Sequence, residues 1–162
     1  MPDPDREEQA RQLLRAALHE QRSKRYESAV RLYKRSLNRY PTAEAHTFLG
    51  WAYSFMGRLD EAISECRRAI GIDPTFGNPY NDIGSYLMKL GRFQEAIAWL
   101  EKAKNAPRYE PRHYPYLNLA RAYAALGRYH DACREMSQAQ FIHEEVVENG
   151  QDRFPEGGET IH

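Results

Sequence analysis

One spacing governs this chain. Gly50 and Gly84, Gly57 and Gly91, Ala62 and Ala96, and Ala69 and Ala103 each stand 34 residues apart, so four independent markers agree on one register. The next step, from Gly91 to Gly127, Ala96 to Ala132 and Ala103 to Ala139, is 36, which places two extra residues in the connection NAPRYEPRHYP. In the other direction Ala29 precedes Ala62, and Pro41 precedes Pro74, by 33. Residues 10–42 are thus a degenerate first copy, and 43–76, 77–112 and 113–146 complete four. Residues 1–9 extend the first helix, and 147–162, with Pro155, Gly157 and Gly158, read as a disordered tail. A fixed period of this length marks units that cannot bury an apolar face alone and must stack on their neighbours.

Each marker has a mechanical reason. Gly57, Gly91 and Gly127 follow apolar-periodic segments and suit the left-handed conformation that closes a helix, so each unit divides into two helices. Gly50, Gly84 and Ala120 in the first helix, with Ala62, Ala96 and Ala132 in the second, let two backbones approach closely. Tyr53, Leu59, Leu87, Phe93, Tyr123 and Tyr129 sit a turn away and read as core around those contacts. Pro41 and Pro74 stop second helices, while Asp3-Pro4 and Asn78-Pro79 look like a cap followed by proline at the first helical position. The predicted fold is all-α, a solenoid of antiparallel helix pairs.

Composition serves to exclude. The 23 basic residues balance 23 acidic ones, leaving no global field to gather nucleic acid or an anionic membrane, so neither is expected as a partner. No run approaches the ~18 apolar residues of a membrane span, and the opening MPDPDREEQ is polar where an export signal would be basic and then apolar, so a cytoplasmic location is expected. Cys66 and Cys133 are too few for a disulfide framework or a cysteine zinc site and read as packing thiols. His130 and Cys133, one turn apart, lack a third ligand. No Gly-rich phosphate loop, nucleophile elbow or paired acid and base appears. The expectation is no enzyme, no cofactor and no metal.

The three stretches LGWAYSFMGRLDEAISECRRAIGIDP, IGSYLMKLGRFQEAIAWLEKAKNAP and LARAYAALGRYHDACREMSQAQ together strongly resemble the tetratricopeptide repeat family, over roughly residues 10–142. The resemblance implies a right-handed superhelix whose first helices line a concave groove, and a function of holding a peptide or a partner's helix. Some members with a similar third-to-fourth stretch act in pilus assembly, but from the polar opening MPDPDREEQ no lipid-attachment or export segment is expected to accompany it here.

Taking the face of each first helix opposite its small residue gives the expected groove. It runs from Arg11, Leu14, Leu18 and Arg22 through Thr47, Phe48, Trp51, Ser54 and Phe55. It continues through Asn78, Asn81, Asp82, Ser85 and Lys89 to Tyr114, Asn118, Arg121 and Ala125. Trp51, flanked by Phe55 and Leu18, reads either as an outward anchor or as filler of the seam between the first and second repeats. Phe48 leans toward packing. Asn81 and Asn118 can each donate and accept, which suits the amides of an extended peptide, and such amide ladders occur in some family members. Lys89 and Arg121 could meet a carboxylate. Leu14 and Leu18 occupy the places where chaperone-binding relatives carry a lysine and an asparagine, so a chaperone-tail receptor is not expected.

Charge also segregates. Arg22, Lys24, Arg25, Arg31, Lys34, Arg35 and Arg39 crowd the first pair, and Glu144, Glu145, Glu148, Asp152, Glu156 and Glu159 follow the last. The expected function is therefore a protein-interaction adaptor binding a peptide or helix in the groove. The alternative is a structural scaffold in which copies associate weakly, stacking through their charged ends. Phe154 and Ile161 are further candidates to fold back into the groove.

Overall fold

The computed structural model describes residues 3–149. They form α1 (Pro4–Arg22), α2 (Tyr26–Arg39), α3 (Ala43–Phe55), α4 (Leu59–Ile72), α5 (Asn78–Lys89), α6 (Phe93–Lys104), α7 (Tyr114–Ala125) and α8 (Tyr129–Glu148). No strand occurs among the described residues, only an isolated bridge between Phe76 and Arg108. Each odd helix packs most closely on the even helix that follows, and each even helix then packs on the next odd one. The odd helices also touch one another, whereas the even helices do not, so the array curves with its odd helices on the inside. This is an all-α solenoid of the tetratricopeptide type.

The helix pairs are closed by one device used four times. Gly57, Gly91 and Gly127 take φ of +75°, +76° and +74°. The next residue's N–H reaches back to a carbonyl five residues earlier: Arg58 to Tyr53, Arg92 to Leu87 and Arg128 to Tyr123, each at 2.9 Å. That six-to-one bond with a left-handed residue between is the Schellman closure. The degenerate first pair makes the same bond, Arg25 to Glu20 at 2.9 Å, with Lys24 at φ 60° where the others have glycine. A side chain there opposes the left-handed conformation by about 1 kcal/mol.

The small residues at the helix crossings are required by contact distance. A Cβ on Gly50 would lie 3.1 Å from the Ala62 carbonyl oxygen, and one on Gly84 would lie 2.5 Å from Cγ of fully buried Leu100. The extra residues of the third connection are also packed. A Cβ on Gly77 would meet Tyr109 at 2.7 Å, and the Gly77 N–H donates to the Arg108 carbonyl at 2.8 Å. Arg108 in turn reaches Asp73 at 2.7 Å and Glu44 at 3.0 Å.

Several expectations change. Asn78 is not a cap: Gly77 holds that position, no side chain caps α5, and the Asn78 amide instead donates to the Glu110 carbonyl at 3.4 Å. Asp3 does cap α1, accepting from the Asp5 N–H at 3.0 Å. Cys66 is a packing thiol, pushed well up by burial, but Cys133 is exposed. Tyr129, expected in the core, is 69% exposed. Both lie on α8, against which no later helix packs among the described residues. That helix continues to Glu148, two residues into the stretch read as tail, and from Gly150 onward the tail expectation and the fold-back of Phe154 and Ile161 lie outside the described residues.

Candidate functional site

The inner face is built from α1, α3, α5 and α7, and two hydrogen bonds brace it across repeats. The Trp51 indole N–H donates to the Asp82 carboxylate at 2.8 Å, joining α3 to α5. The Asn118 amide donates to the Asn81 side-chain oxygen at 3.0 Å, joining α5 to α7. Asn81 and Asp82 are adjacent, so one turn of α5 serves both braces. Because Asn81 is buried and bonded to Asn118, these two amides are committed in part to the chain's own cohesion.

Trp51 lies between the two readings that the sequence leaves open. It is half-buried, with its polar edge on Asp82 and its ring edge-on to Phe48 at 5.4 Å between centroids. Phe48 itself stacks on Tyr33 of α2 at 6.4 Å, which fixes it in the seam between the first two repeats. Phe55 stacks on Tyr26 at 5.1 Å, within 12° of parallel, and is half-buried. Leu18, also half-buried, packs against the continuous core. The apolar end of the inner face is therefore rigid, each ring held by another.

The opposite end is polar and more open. Ser85 is half-buried, Lys89 and Arg121 are exposed, and the Lys89 ammonium lies 5.9 Å from the Tyr86 ring centre. No carboxylate pairs with Lys89 or Arg121 within salt-bridge distance among the described residues, so both cations are available to a ligand.

Asp82 is the residue whose importance the sequence underplays. It stands in the same register as Phe48 and Asn118, counted by 34 and 36, so a carboxylate takes a place filled elsewhere by a ring and an amide. Burial pushes its pKa up to about 7, against the opposing pull of the Trp51 hydrogen bond and the Lys89 charge. A signal was present in the sequence, since a lone acid among asparagine and aromatic residues on an inner face is anomalous. Its depth, however, is set by α3 and α7 together.

Among the described residues no group of three or more His, Cys, Asp or Glu side chains is placed to hold a metal ion. No described helix is long and apolar enough to cross a membrane. A shallow recess between α1 and α2, lined by Gln9, Gln12, Leu13, Arg35 and Arg39, lies away from the inner face.

Comparison with known proteins bears on this geometry. Family models described as tetratricopeptide repeat match residues 43–76 and 78–108, and a second model of that description matches 113–138. A stretch of 81 residues is 32% identical to small glutamine-rich tetratricopeptide repeat-containing protein 2 of Mycosarcoma maydis, covering 49% of this chain and 23% of that protein. The chain thus spans less than a quarter of that relative's length. Among solved structures, MamA superposes with a TM-score of 0.75 at 21% identity, over 86% of this chain and 81% of the other. The pilF protein of Pseudomonas aeruginosa does so with 0.80 at 20% identity, over 86% and 64%. At such identities the likeness speaks for the fold alone.

Proposed function

The chain belongs to the tetratricopeptide repeat family, and on that premise we propose that it is a non-catalytic adaptor that holds a peptide or helix of another protein along the concave face. The observation that carries this reading is the cross-braced inner face. The Trp51 to Asp82 and Asn118 to Asn81 bonds lock one turn of α5 between its neighbours. A surface fixed before the ligand arrives loses little side-chain entropy on binding. Around that turn lie the groups a polypeptide would use: the half-buried rings of Trp51 and Phe55, the Ser85 hydroxyl, and the unpaired cations Lys89 and Arg121. Leu18 and Asn78 extend the same track at its two margins.

An apolar side chain of the ligand would lie toward Trp51 and Phe55, and an acidic group or terminal carboxylate toward Lys89 and Arg121. Partner capture followed by mass spectrometry tests this with wild type and with the exposed-site variant Lys89→Glu/Arg121→Glu, which leaves the braces intact. The reading requires specific partners to be lost from the variant. Recovery of the same proteins in the same amounts by both would sink it.

A further inference from the structure

In α8, register and burial part company. Tyr33, Cys66 and Leu100 hold one place in α2, α4 and α6 and are fully buried; Met136 holds it in α8 and is 48% exposed. Val30, Ile63 and Ile97 are buried one turn earlier, and their counterpart Cys133 is exposed. Tyr129 and Val147 are exposed as well, at 69% and 55%. With Gln140, Tyr129, Cys133 and Met136 recur at steps of four, three and four, and Val147 follows two turns further on, the intervening place being held by His143, half-buried against His113 at 5.0 Å; the spacing is that of a knobs-into-holes seam. In each earlier pair the even helix lies between two odd helices, its own partner and the one that follows. The backbone of α8 packs on α7 alone among the described helices.

The first end of the molecule does not match it. At the places where α3, α5 and α7 press Leu49, Ile83 and Leu119 onto the preceding helix, α1 carries Ala16, which is exposed, with exposed Gln12, Arg15 and His19 around it. End-to-end stacking would set an apolar stripe against a polar face with nothing to fill the gap. The stripe fits itself better. Exposed Arg134, shared with Asp131 at 2.9 Å and Glu135 at 3.8 Å, lies in the first half of α8, and exposed Glu144, Glu145 and Glu148 lie in the last turns. Two such helices side by side in opposite directions bring unlike charges together, whereas parallel ones would stack acid on acid.

We propose that α8 pairs antiparallel with α8 of a second copy of this chain, about a two-fold axis between Met136 and Gln140. Met136 then faces the second copy's Gln140, Tyr129 faces its Val147, and Arg134 comes within a turn of its Glu145. The contact is isologous, so it closes at two copies and does not run on into a filament. Each dimer carries two inner faces, and a ligand with two copies of its recognition segment would be held by avidity.

Sedimentation equilibrium on the full 162-residue chain, from micromolar to submillimolar concentration, tests this. Wild type is expected to pass from monomer to dimer, and added salt to weaken the dimer. Met136→Glu should lower dimer affinity by at least roughly tenfold, and Tyr129→Glu, at a still more exposed site, should do the same. Circular dichroism identical to wild type shows that either variant is folded. Arg134→Glu alone should weaken the dimer, and adding Glu145→Lys to it should restore it. A monomer at every concentration, or a dimer indifferent to both Met136→Glu and Tyr129→Glu, overturns the proposal. Strengthening by salt with no charge-swap rescue overturns the antiparallel arrangement.

Discussion

Leu100 and Met136 occupy the same place in successive repeats, yet one is fully buried and the other is half in solvent. What separates them is the neighbour. α6, which carries Leu100, lies between α5 and α7, whereas α8, which carries Met136, packs on α7 alone among the described helices. In a stacked array the interior seam and the open end are made of like residues, and only cover decides whether a position is core or surface. The two ends then differ from each other: α1 meets solvent with Ala16 and polar groups, α8 with an apolar stripe.

The largest expected effect tests that comparison directly. Leu100→Ala should cost about 3 kcal/mol of unfolding free energy, while Met136→Ala in dilute, monomeric protein should cost under about 1. Urea denaturation of both variants measures the gap, and equal costs would mean that α8 is covered after all.

The second test uses the column of Arg15, Phe48, Asp82 and Asn118. Burial raises the Asp82 pKa from 3.8 to about 7, so the folded chain holds this proton over a range in which the unfolded chain releases it. Stability should therefore fall as pH rises between those values, by up to about 1.4 kcal/mol per unit. Below the window the penalty is absent, and above it the penalty is complete. Asp82→Asn keeps an acceptor for Trp51 and should flatten the slope in pH-dependent urea melts. Arg15→Asp, at the same register on the exposed end, should titrate by NMR in the ordinary carboxylate range.

A smaller effect concerns the attachment of the last helix. Lys104 of α6 reaches Glu135 of α8 at 3.2 Å, and Glu135 is buried. Lys104→Met leaves that carboxylate only Arg134 at 3.8 Å and should cost about 2 kcal/mol, since a buried charge loses its nearer cation. Hydrogen exchange would show the loss as earlier opening of α8. The smallest change goes the other way: Lys24→Gly gives the first pair the residue its three successors use and should raise the melting free energy by up to about 1 kcal/mol.

The pairing of helices was legible in the sequence because the markers that set it are local. A left-handed closure needs glycine at 57, 91 and 127, and a close crossing needs a small residue at 50, 84 and 120. Both demands print a residue type at a fixed period. The first pair was harder to read because Lys24 adopts the same conformation against its preference, supported by the Arg25 to Glu20 bond. Cover is not local. Tyr129 and Cys133 carry the residue types of core positions, and nothing within their own helix says whether a neighbour arrives. The inner-face braces were hidden for a related reason. Trp51 and Asp82 lie 31 residues apart, and Asn81 and Asn118 lie 37 apart, so neither pair shares the repeat period. The periodic pattern locates their helices on one face but says nothing about which side chains meet across it.

Arg108 has a mechanical consequence. Its side chain reaches Glu44 at the start of α3 and Asp73 at the end of α4, its backbone bonds to Thr75 and Gly77, and its guanidinium lies 4.3 Å from the Phe76 ring centre. One rim of the solenoid is thereby strapped across two consecutive repeats. A spring bound along one edge can coil or uncoil only by opening along the other, so a ligand that widens the inner face should do so at the unbound rim, where α3, α5 and α7 end in their glycine closures. The strap gives the molecule a preferred direction of give.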